Sequence, residues 1–421
     1  MPDAPAPGVS GWRRRKGIGS VDGMKTDCVI AGGGPAGMML GYLLARAGVD
    51  VVVLEKHADF LRDFRGDTIH PSTLEVMHEL GLLEEFLRRP HDELRDIAVR
   101  VGSEQAQIAD FRHVPTHCKF LMMMPQWEFL DFLAGQGRKL PSFHLVMQAE
   151  ATSLVSENGR VAGLRARTPE GEREIRAALV VGADGRHSTI RAQAGLQVQD
   201  MGAPMDVLWL RVSRRPGDPP DLFGQVDAGR MLVMIARDDY WQCALLIPKG
   251  SDAAVRARGM AALHESLLGL SPWLGERVKE LVDWDQVKLL AVTVDRLREW
   301  SKPGLLCIGD AAHAMSPIGG VGINLAVQDA VAAARLLARP LRERRLEPAD
   351  LQRVQRRREW PMKVVQRMQL TMQDRLIRPI LASQGAVRMP GFLRLVGRHP
   401  ILRRIPAWFI GVGVRPEHVD R

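Results

Sequence analysis

Apolar positions in the first part of the chain follow a strand–helix–strand order. A short apolar run at residues 27–31 predicts a strand, and apolar residues at helical spacing over 38–47 predict a helix that ends at Gly48. The run 51–54 predicts a second buried strand, with Glu55 at its carboxyl end. This order is typical of a βαβ unit, in which the helix connects two parallel strands.

The rest of the chain contains segments with the two-residue alternation of strands and segments with the three-to-four-residue spacing of helices. Alternation over residues 205–248 predicts a sheet with one open face, inserted between segments of the first domain. The other predicted strands are 161–167, 174–176, 179–182, 288–294 and 304–308, and the other predicted helices are 71–80, 127–135, 253–281 with a break at Pro272, and 323–337. Beyond residue 346 the pattern is mainly helical, with breaks at Pro379, Pro390 and Pro400.

These elements predict an α/β fold with a Rossmann-like nucleotide-binding domain, an inserted β-sheet substrate domain and a C-terminal helical region. The nucleotide domain is assigned residues 24–95, 123–200 and 291–345, the substrate domain 96–122 and 201–290, and the helical region 346–421. Residues 1–23, rich in Pro, Gly, Ala and Arg, are expected to form a disordered arm, and Met24 could be the natural start.

Composition narrows the class of protein. With 421 residues, 46% hydrophobic and 25% charged, the chain has the profile of a globular protein. No apolar run reaches the ~18 residues of a membrane span, and no signal peptide is visible. The four cysteines are scattered, so we expect no metal site and no redox pair. Their scatter favours a reducing compartment, and we expect a cytoplasmic protein.

Positive charge is concentrated in the tail. The net charge is +9, and residues 341–421 hold 18 Lys or Arg against 7 Asp or Glu. Nucleic acid is not an expected partner, because no recognition motif is present and aromatics make up only 5%. Segments 392–396 and 400–405 mix apolar and cationic residues. They are interpreted either as a helical cap over the body or as a surface that contacts an anionic membrane.

The turn after the first strand carries a glycine pattern with an acidic partner. Gly32 permits a tight turn, Gly34 lets the backbone approach a pyrophosphate, and Gly37 allows the helix to pack closely on the strand. The helix N-terminus then faces the phosphates. Glu55, at the end of the second strand, can accept hydrogen bonds from ribose hydroxyls. This motif predicts a dinucleotide site but does not separate FAD from NAD.

A second motif lies nearly 280 residues further on. Asp310 follows the apolar strand 305–308, and Gly319, Gly320 and Gly322 then allow the backbone to approach a ligand closely. A long helix begins at Ile323, and its N-terminus carries roughly half a positive charge. Aimed at a flavin's pyrimidine edge, that charge would stabilise the anionic reduced ring, and Asp310 would bond the ribityl chain.

With these motifs and a third, at 181–191 around Asp184, residues 24 to about 340 resemble the single-component FAD-dependent aromatic hydroxylases, the family of p-hydroxybenzoate hydroxylase. The ubiquinone-biosynthesis and tetracycline-modifying branch is the most similar. In that family the Asp184 motif serves both FAD and the nicotinamide nucleotide. The resemblance also implies that Arg65 reaches the FAD near its pyrophosphate and that Gln126 bonds the cofactor; otherwise they would be a surface arginine and a helix-cap glutamine.

The resemblance implies FAD as the cofactor, NADPH or NADH as co-substrate, and O₂ with a small molecule as the other substrates. A flavin C4a-hydroperoxide would hydroxylate an aromatic, quinol-type or polyketide-like compound in an apolar pocket. The candidate cofactor residues are Gly32, Gly34, Pro35, Ala36, Gly37, Glu55, Lys56, Arg65, Gln126, Asp184, Asp310, Gly320, Gly322, Ile323 and Asn324.

No catalytic residue is assigned. The phenol-hydroxylating members use tyrosines, whereas this chain has only Tyr42 and Tyr240, so a two-tyrosine relay is not expected. His70 and His313 are the candidate bases. The alternative for His70 is a capping or surface histidine, and the alternative for His313 is a structural role. Two other functions stay open: a flavin-dependent reductase or dehydrogenase without oxygen insertion, and a non-catalytic FAD-binding interaction protein. The sequence does not indicate an oligomeric state.

Overall fold

The computed structural model describes residues 24–61, 68–219, 224–237 and 239–419, so the predicted arm at 1–23 lies outside it. The strands are β1 Met24–Ala31, β2 Val51–Glu55, β3 Thr68–Ile69, β4 Asp92–Leu94, β5 Asp96–Val101, β6 Glu104–Asp110, β7 Leu121–Met123, β8 Phe143–Met147, β9 Glu150–Glu157, β10 Arg160–Thr168, β11 Gly171–Gly182, β12 Val198–Asp200, β13 Met205–Ser213, β14 Gly224–Asp227, β15 Arg230–Ala236, β16 Tyr240–Pro248, β17 Lys288–Leu290, β18 Asp295–Leu297, β19 Ser301–Lys302 and β20 Leu305–Cys307. The α-helices are α1 Pro35–Arg46, α2 Pro71–Glu79, α3 Leu83–Leu87, α4 Gln126–Gly137, α5 Thr189–Gln193, α6 Asp252–Ala257, α7 Gly259–Leu270, α8 Gly322–Arg342, α9 Pro348–Met372, α10 Arg378–Ala382, α11 Gly391–Arg398 and α12 Pro400–Gly411.

The central sheet has the strand order β19-β20-β11-β1-β2-β8, extended by β10 and β9. Strands β20, β11, β1, β2 and β8 run parallel, so their carboxyl ends share one edge. All five residues of β2 are buried, as expected for a parallel strand covered on both faces. The βαβ unit is present as predicted, and the mixed α/β fold class is confirmed.

The second sheet has the order β17-β13-β16-β15-β14-β5-β6 and draws its strands from two separated stretches of the chain. One face packs against α7 through a cluster that includes Leu210, Met234 and Leu267. Because side chains alternate along a strand, Val207 and Met231 lie on the opposite face. That opposite face looks toward the segment that leads into α8.

The C-terminal region is helical. Helix α9 packs along α8, and α11 and α12 pack on β6. A π-helical turn, Gln373–Ile377, joins α9 to α10. The segment Ile318–Arg342 is long and apolar enough to cross a membrane by length and composition, but 78% of its apolar window is buried inside the protein. Here it serves as the core helix.

Three element predictions were wrong in detail. The strands expected at 174–176 and 179–182 form one continuous strand, β11. The strand expected over 288–294 ends at Leu290, because the amide of Val292 donates to the Asp206 carboxylate at 2.9 Å instead of to a neighbouring strand. Pro379 does not end the helical run, since the backbone adopts the π-helical turn Gln373–Ile377 just before it and α10 continues to Ala382.

Candidate functional site

The turn between β1 and α1 has no room for side chains at two of its glycines. Gly32 has φ +107°, and a Cβ there would lie 2.3 Å from the carbonyl oxygen of Ala183. A Cβ on Gly37 would lie 1.9 Å from the carbonyl oxygen of Gly32. Both positions therefore require glycine, one for backbone conformation and contact, the other for close packing of α1 on the turn.

Gly34 differs, because a Cβ there would meet no protein atom within 4 Å. It is the N-cap of the 12-residue helix α1, with Pro35 as the first helical residue. The space in front of this helix N-terminus is therefore open, and unpaired amides and the helix dipole face it. The residues present fit a dinucleotide pyrophosphate, which needs backbone donors and close approach.

Glu55 is fixed beside this turn. Its carboxylate accepts from the amide of Gly33 at 3.2 Å and from the amide of His57 at 3.0 Å. The residue is only 8% exposed, whereas the next residue, Lys56, is exposed. The acid at the end of β2 is thus held next to the glycine turn, as a ribose-binding carboxylate requires.

Asp184 stands at the end of β11, next to the first glycine turn. A Cβ on Gly32 would come within 2.9 Å of its Cα. Its carboxylate accepts from the Ser188 hydroxyl at 2.5 Å and from the Ile190 amide at 3.1 Å, which caps the start of α5. Burial is the largest influence on this group and raises the pKa of Asp184.

Arg186 connects the Asp184 motif to the Asp310 motif. Its Nη2 lies 3.6 Å from Oδ2 of Asp310, and both side chains are partly exposed. Five residues later Arg191 forms a buried two-bond pair with Asp295, at 3.3 and 3.2 Å. The carboxyl ends of β1, β11 and β20 are neighbours, so the structure brings the three predicted motifs to one edge of the central sheet.

A buried ionic network supports the loop that carries Asp310. Oδ2 of Asp329 accepts from the amide of Gly309 at 3.1 Å and from Nε2 of His313 at 2.7 Å. Oδ1 accepts from Nε of Arg358 at 3.0 Å, and Nη1 of Arg358 lies 3.3 Å from the Glu417 carboxylate. His313 is therefore part of this buried network, the kind of contact that its structural alternative predicts.

Helix α8 begins beside this loop. Gly319 and Gly320 have φ +77° and +63°, and a Cβ on Gly320 would lie 2.2 Å from the Thr68 hydroxyl. A Cβ on Gly322 would meet no protein atom within 4 Å, so the N-terminus of α8 also faces open space. Two helix N-termini with open space in front of them at one sheet edge suit a ligand with a pyrophosphate at one end and a flavin ring at the other.

Three further predicted cofactor residues make contacts within the protein or lie at the start of a helix. Ile323 packs into the main core, and Asn324 accepts a hydrogen bond from the Thr73 hydroxyl. Gln126 is the first residue of α4 rather than a residue before it, and it is partly buried. Arg65 lies outside the described residues.

His70 is buried, so a surface role is wrong. It is 0% exposed, and Nδ1 donates to the carbonyl of Ile410 at 2.8 Å. Burial lowers the pKa of His70 to about 4, although the carbonyls of Ile410 and Gly320 oppose this. The ring is therefore neutral near pH 7 and lies against Gly320. Sequence reasoning could not place it there, because Ile410 is 340 residues away.

The face of the second sheet that looks toward the start of α8 is apolar. Register places Val207, Leu246 and Met231 in one row across β13, β16 and β15, and Trp209, Ala244 and Val233 in the next. These rows cluster with Ile318 and with Ile377 of the C-terminal region. Met234 lies on the other face, with α7.

The two tyrosines do not meet. Tyr42 is buried in α1, and Tyr240 lies beneath the guanidinium of Arg211, 4.9 Å from its ring centroid, at the start of β16. Over the described ranges, no group of three or more His, Cys, Asp or Glu is placed to hold a metal ion.

Comparison with known proteins gives a consistent result. The model of the family described as FAD binding domain matches residues 25–368. A 6-methylpretetramide 4-monooxygenase of Streptomyces rimosus is 33% identical over 390 residues, covering 91% of this chain and 93% of that protein. A rifampicin monooxygenase of Streptomyces venezuelae is 29% identical, covering 72% of this chain and 62% of that protein.

Solved structures agree on the fold. The anhydrotetracycline hydroxylase OxyS from Streptomyces rimosus superposes with a TM-score of 0.73 at 25% identity, covering 93% of this chain and 77% of that one. The second sheet and the helical C-terminal region are thus included in the likeness.

Proposed function

This chain belongs to the FAD binding domain family, and on that premise we propose that it hydroxylates an aromatic or polyketide-like small molecule, with NADPH or NADH as the reductant. Its class is that of an FAD-dependent monooxygenase, in keeping with the relative that is 33% identical over most of both chains. The reductant, the substrate and the role of each site residue belong to the proposal.

One observation carries the proposal: the three glycine and aspartate motifs converge on one sheet edge with two open helix N-termini. In this reading the amides at Gly34 bind the pyrophosphate and Glu55 binds the adenosine ribose. Asp310 accepts from the ribityl chain, and the N-terminus of α8 stabilises negative charge on the reduced ring. When bound, FAD would supply the activation of O₂ through the C4a-hydroperoxide that the family resemblance implies.

The apolar face of the second sheet supports the substrate class. Val207, Trp209, Met231 and Val233 form an apolar wall that packs with Ile318 and with Ile377 of the C-terminal region. A polycyclic aromatic fits such a wall, since burial of its rings is favourable and offset stacking on an indole adds to it. The relative that acts on 6-methylpretetramide agrees with this class.

The proposal has two rivals. A reductase or dehydrogenase would consume the nicotinamide nucleotide without forming an oxygenated product. A non-catalytic FAD-binding protein would bind FAD but show no substrate-stimulated oxidation of NADPH. The apolar wall beside Ile318, just before α8, favours oxygenation, because water must be excluded from that chemistry.

The test is a screen of purified holoprotein. Oxidation of NADPH and NADH would be followed at constant O₂ with phenols, quinol precursors and tetracyclic polyketides, and products would be analysed by mass spectrometry. We expect at least one polycyclic aromatic to accelerate the oxidation and to yield a product one oxygen atom heavier. Acceleration without oxygen gain would favour the reductase, and no acceleration would favour the binding protein.

A second proposal concerns α11 and α12, whose inner faces cap β6. Their outer faces expose large apolar side chains: Phe392, Leu395, Ile401, Ile405 and Trp408 are 41–71% exposed. Arg398 and Arg404 lie in the same helices. Apolar residues beside arginines suit the interface of an anionic phospholipid membrane, where a lipophilic substrate would be concentrated.

A further inference from the structure

Helix α9 and the first residue of the π-helical turn that follows it present three buried glutamines on one face. Gln366, Gln369 and Gln373 are 1%, 0% and 1% exposed, although glutamine is mostly a surface residue. Their spacing of three and four residues places them on one side of a helix. A primary amide buried this completely costs free energy unless it is hydrogen-bonded. The hydrogen-bond partners of these side chains therefore indicate the role of this helix face.

Most of the partners belong to the 314–320 segment, which runs from the Asp310 loop into α8, and one is the carbonyl of Asp295. Nε2 of Gln369 donates to the carbonyls of Ser316 at 2.9 Å and Ile318 at 2.8 Å, and its Oε1 accepts from the amide of Ser316 at 3.2 Å. This one side chain therefore pairs with the backbone of the segment much as a neighbouring strand would.

The other two glutamines bond groups in or next to the first part of the same segment. Nε2 of Gln373 donates to the hydroxyl of Ser316 at 2.9 Å. Nε2 of Gln366 donates to the carbonyl of Asp295 at 2.8 Å and contacts that of Ala314 at 3.4 Å. The glutamines thus reach the carbonyls of alternate residues 314, 316 and 318, up to the start of the 3₁₀ turn Ile318–Gly320.

The opposite side of the segment is also held. The Thr68 hydroxyl donates to the carbonyl of Gly320 at 3.4 Å, and the buried ring of His70 lies beyond it. Gly319 and Gly320, both with positive φ, form the part of the segment that precedes the open N-terminus of α8. The segment is thus fixed between β3 and the glutamine face of α9 at the point where the flavin ring would rest.

We propose that Gln366, Gln369 and Gln373 are positioning residues that hold the 314–320 segment in the position that the flavin ring requires. They set the affinity for FAD, the electronic environment of the ring and the fraction of O₂ that ends in product. The last of these rests on the proposed function; the first two do not. The C-terminal region is then part of the cofactor site as well as a cap over the body.

The experiment compares Gln369→Leu with a matched glutamine of the same helix. Gln355 also bonds backbone groups, accepting from the amide of Trp300 at 3.0 Å and donating to the carbonyl of Arg298 at 2.8 Å, but it does not contact the 314–320 segment. Gln355→Leu therefore removes similar hydrogen bonds elsewhere. Ser316→Ala, which removes the hydroxyl that accepts from Gln373 and, at 3.4 Å, from the amide of Ile318, serves if Gln369→Leu does not fold.

Four readouts are made on the full-length holoprotein: thermal unfolding, dissociation of FAD by its fluorescence increase on dilution, the flavin absorbance spectrum with its midpoint potential, and H₂O₂ released per NADPH oxidised. For Gln369→Leu we expect about tenfold weaker FAD binding, equivalent to ~1.4 kcal/mol, with a shifted flavin spectrum and potential and more H₂O₂. For Ser316→Ala we expect the same changes at about a third of that size. Gln355→Leu should lower only the unfolding temperature.

The proposal is overturned if Gln369→Leu and Gln355→Leu lower stability and FAD affinity in parallel, or if neither Gln369→Leu nor Ser316→Ala changes the flavin spectrum. If no compound is hydroxylated by the unchanged protein, the proposed function fails. The FAD affinity, spectrum and potential still test the glutamine face in that case.

Discussion

Arg358 of α9 and Asp329 of α8 form an ion pair in which both side chains are almost fully buried, with Nε of the arginine 3.0 Å from Oδ1 of the aspartate. Burial is the largest influence on Asp329 and opposes its ionisation. The charge of His313, its hydrogen bond, Arg358 and the amide of Gly309 outweigh that influence and lower the pKa of Asp329. The pair joins the C-terminal region to the loop of Asp310.

We expect Arg358→Met to lower the free energy of unfolding by about 3–5 kcal/mol, because it takes one of two ionic partners from a buried carboxylate. Urea unfolding at pH 7 measures the change. Arg358→Met with Asp329→Asn should lose less than the sum of the single variants, since the unpaired charge is then gone. Additive losses would show that the two residues do not interact.

The same pair predicts an acid limit. A carboxyl group whose folded-state pKa lies below its unfolded value of about 3.9 stabilises the fold above that pH. The stabilisation is lost as the pH falls below about 4 toward the folded-state pKa. The unfolding free energy of the unchanged protein should therefore drop below pH 4 more steeply than that of Asp329→Asn. Equal slopes would mean that Asp329 does not titrate as inferred.

His70 gives a second, separate pH window. Its folded-state pKa is about 4 against an ordinary 6.5, so the unfolded chain binds a proton between these values and the folded chain does not. Stability should then fall by up to about 3 kcal/mol as the pH drops from 6.5 to 4. His70→Asn, which keeps a donor for the Ile410 carbonyl, should flatten unfolding temperature against pH in this window. An unchanged slope would contradict the assignment.

Gly34→Ala separates cofactor binding from folding. Gly34 has φ −76° and a Cβ there would meet no protein atom, so alanine fits the fold without strain. The methyl group would lie between the α1 amides and a pyrophosphate, so we expect FAD to dissociate at least tenfold more readily, while unfolding of the apoprotein is unchanged.

Gly135→Ala is the control, since its Cβ is equally free but lies within α4. It should stabilise the protein by about 0.5–1 kcal/mol and leave FAD affinity unaltered. If Gly34→Ala and Gly135→Ala bind FAD equally well, the glycine turn does not hold the pyrophosphate.

Flotation with phosphatidylserine-containing vesicles tests the outer face of α11 and α12. The full chain should float with anionic vesicles at low salt and less at high salt, because the charge term is screened. Ile401→Ser with Ile405→Ser should abolish flotation at little cost in stability, while Val282→Ser, also at an exposed position, should not. Absence of binding would contradict the membrane proposal. If the double variant changed only the oligomeric state, the outer face of α11 and α12 would be an interface with another protein chain.

The sequence predicted the parts of the site that are encoded locally. The turn at Gly32, Gly34 and Gly37 and the carboxylate of Glu55 are specified within one βαβ unit, so their pattern could be recognised without the fold. The contacts of Gln369 and His70 could not, since their partners lie far along the chain and meet them only after packing. Glutamines recurring at helical spacing from Gln366 to Gln373 were the visible signal, because such a face is normally apolar when buried.

The contacts of Glu417 determine when, during synthesis, the support beneath the Asp310 loop can form. Its carboxylate bonds Arg357 at 2.8 and 3.0 Å and approaches Arg358, which in turn holds Asp329 beneath the Asp310 loop. During synthesis the chain from β1 through α8 emerges first, and its carboxylate at Asp329 must wait for residues 358 and 417. Until those have left the ribosome, the nascent protein carries a half-assembled nucleotide pocket, and FAD can stabilise it fully only as the last contacts close.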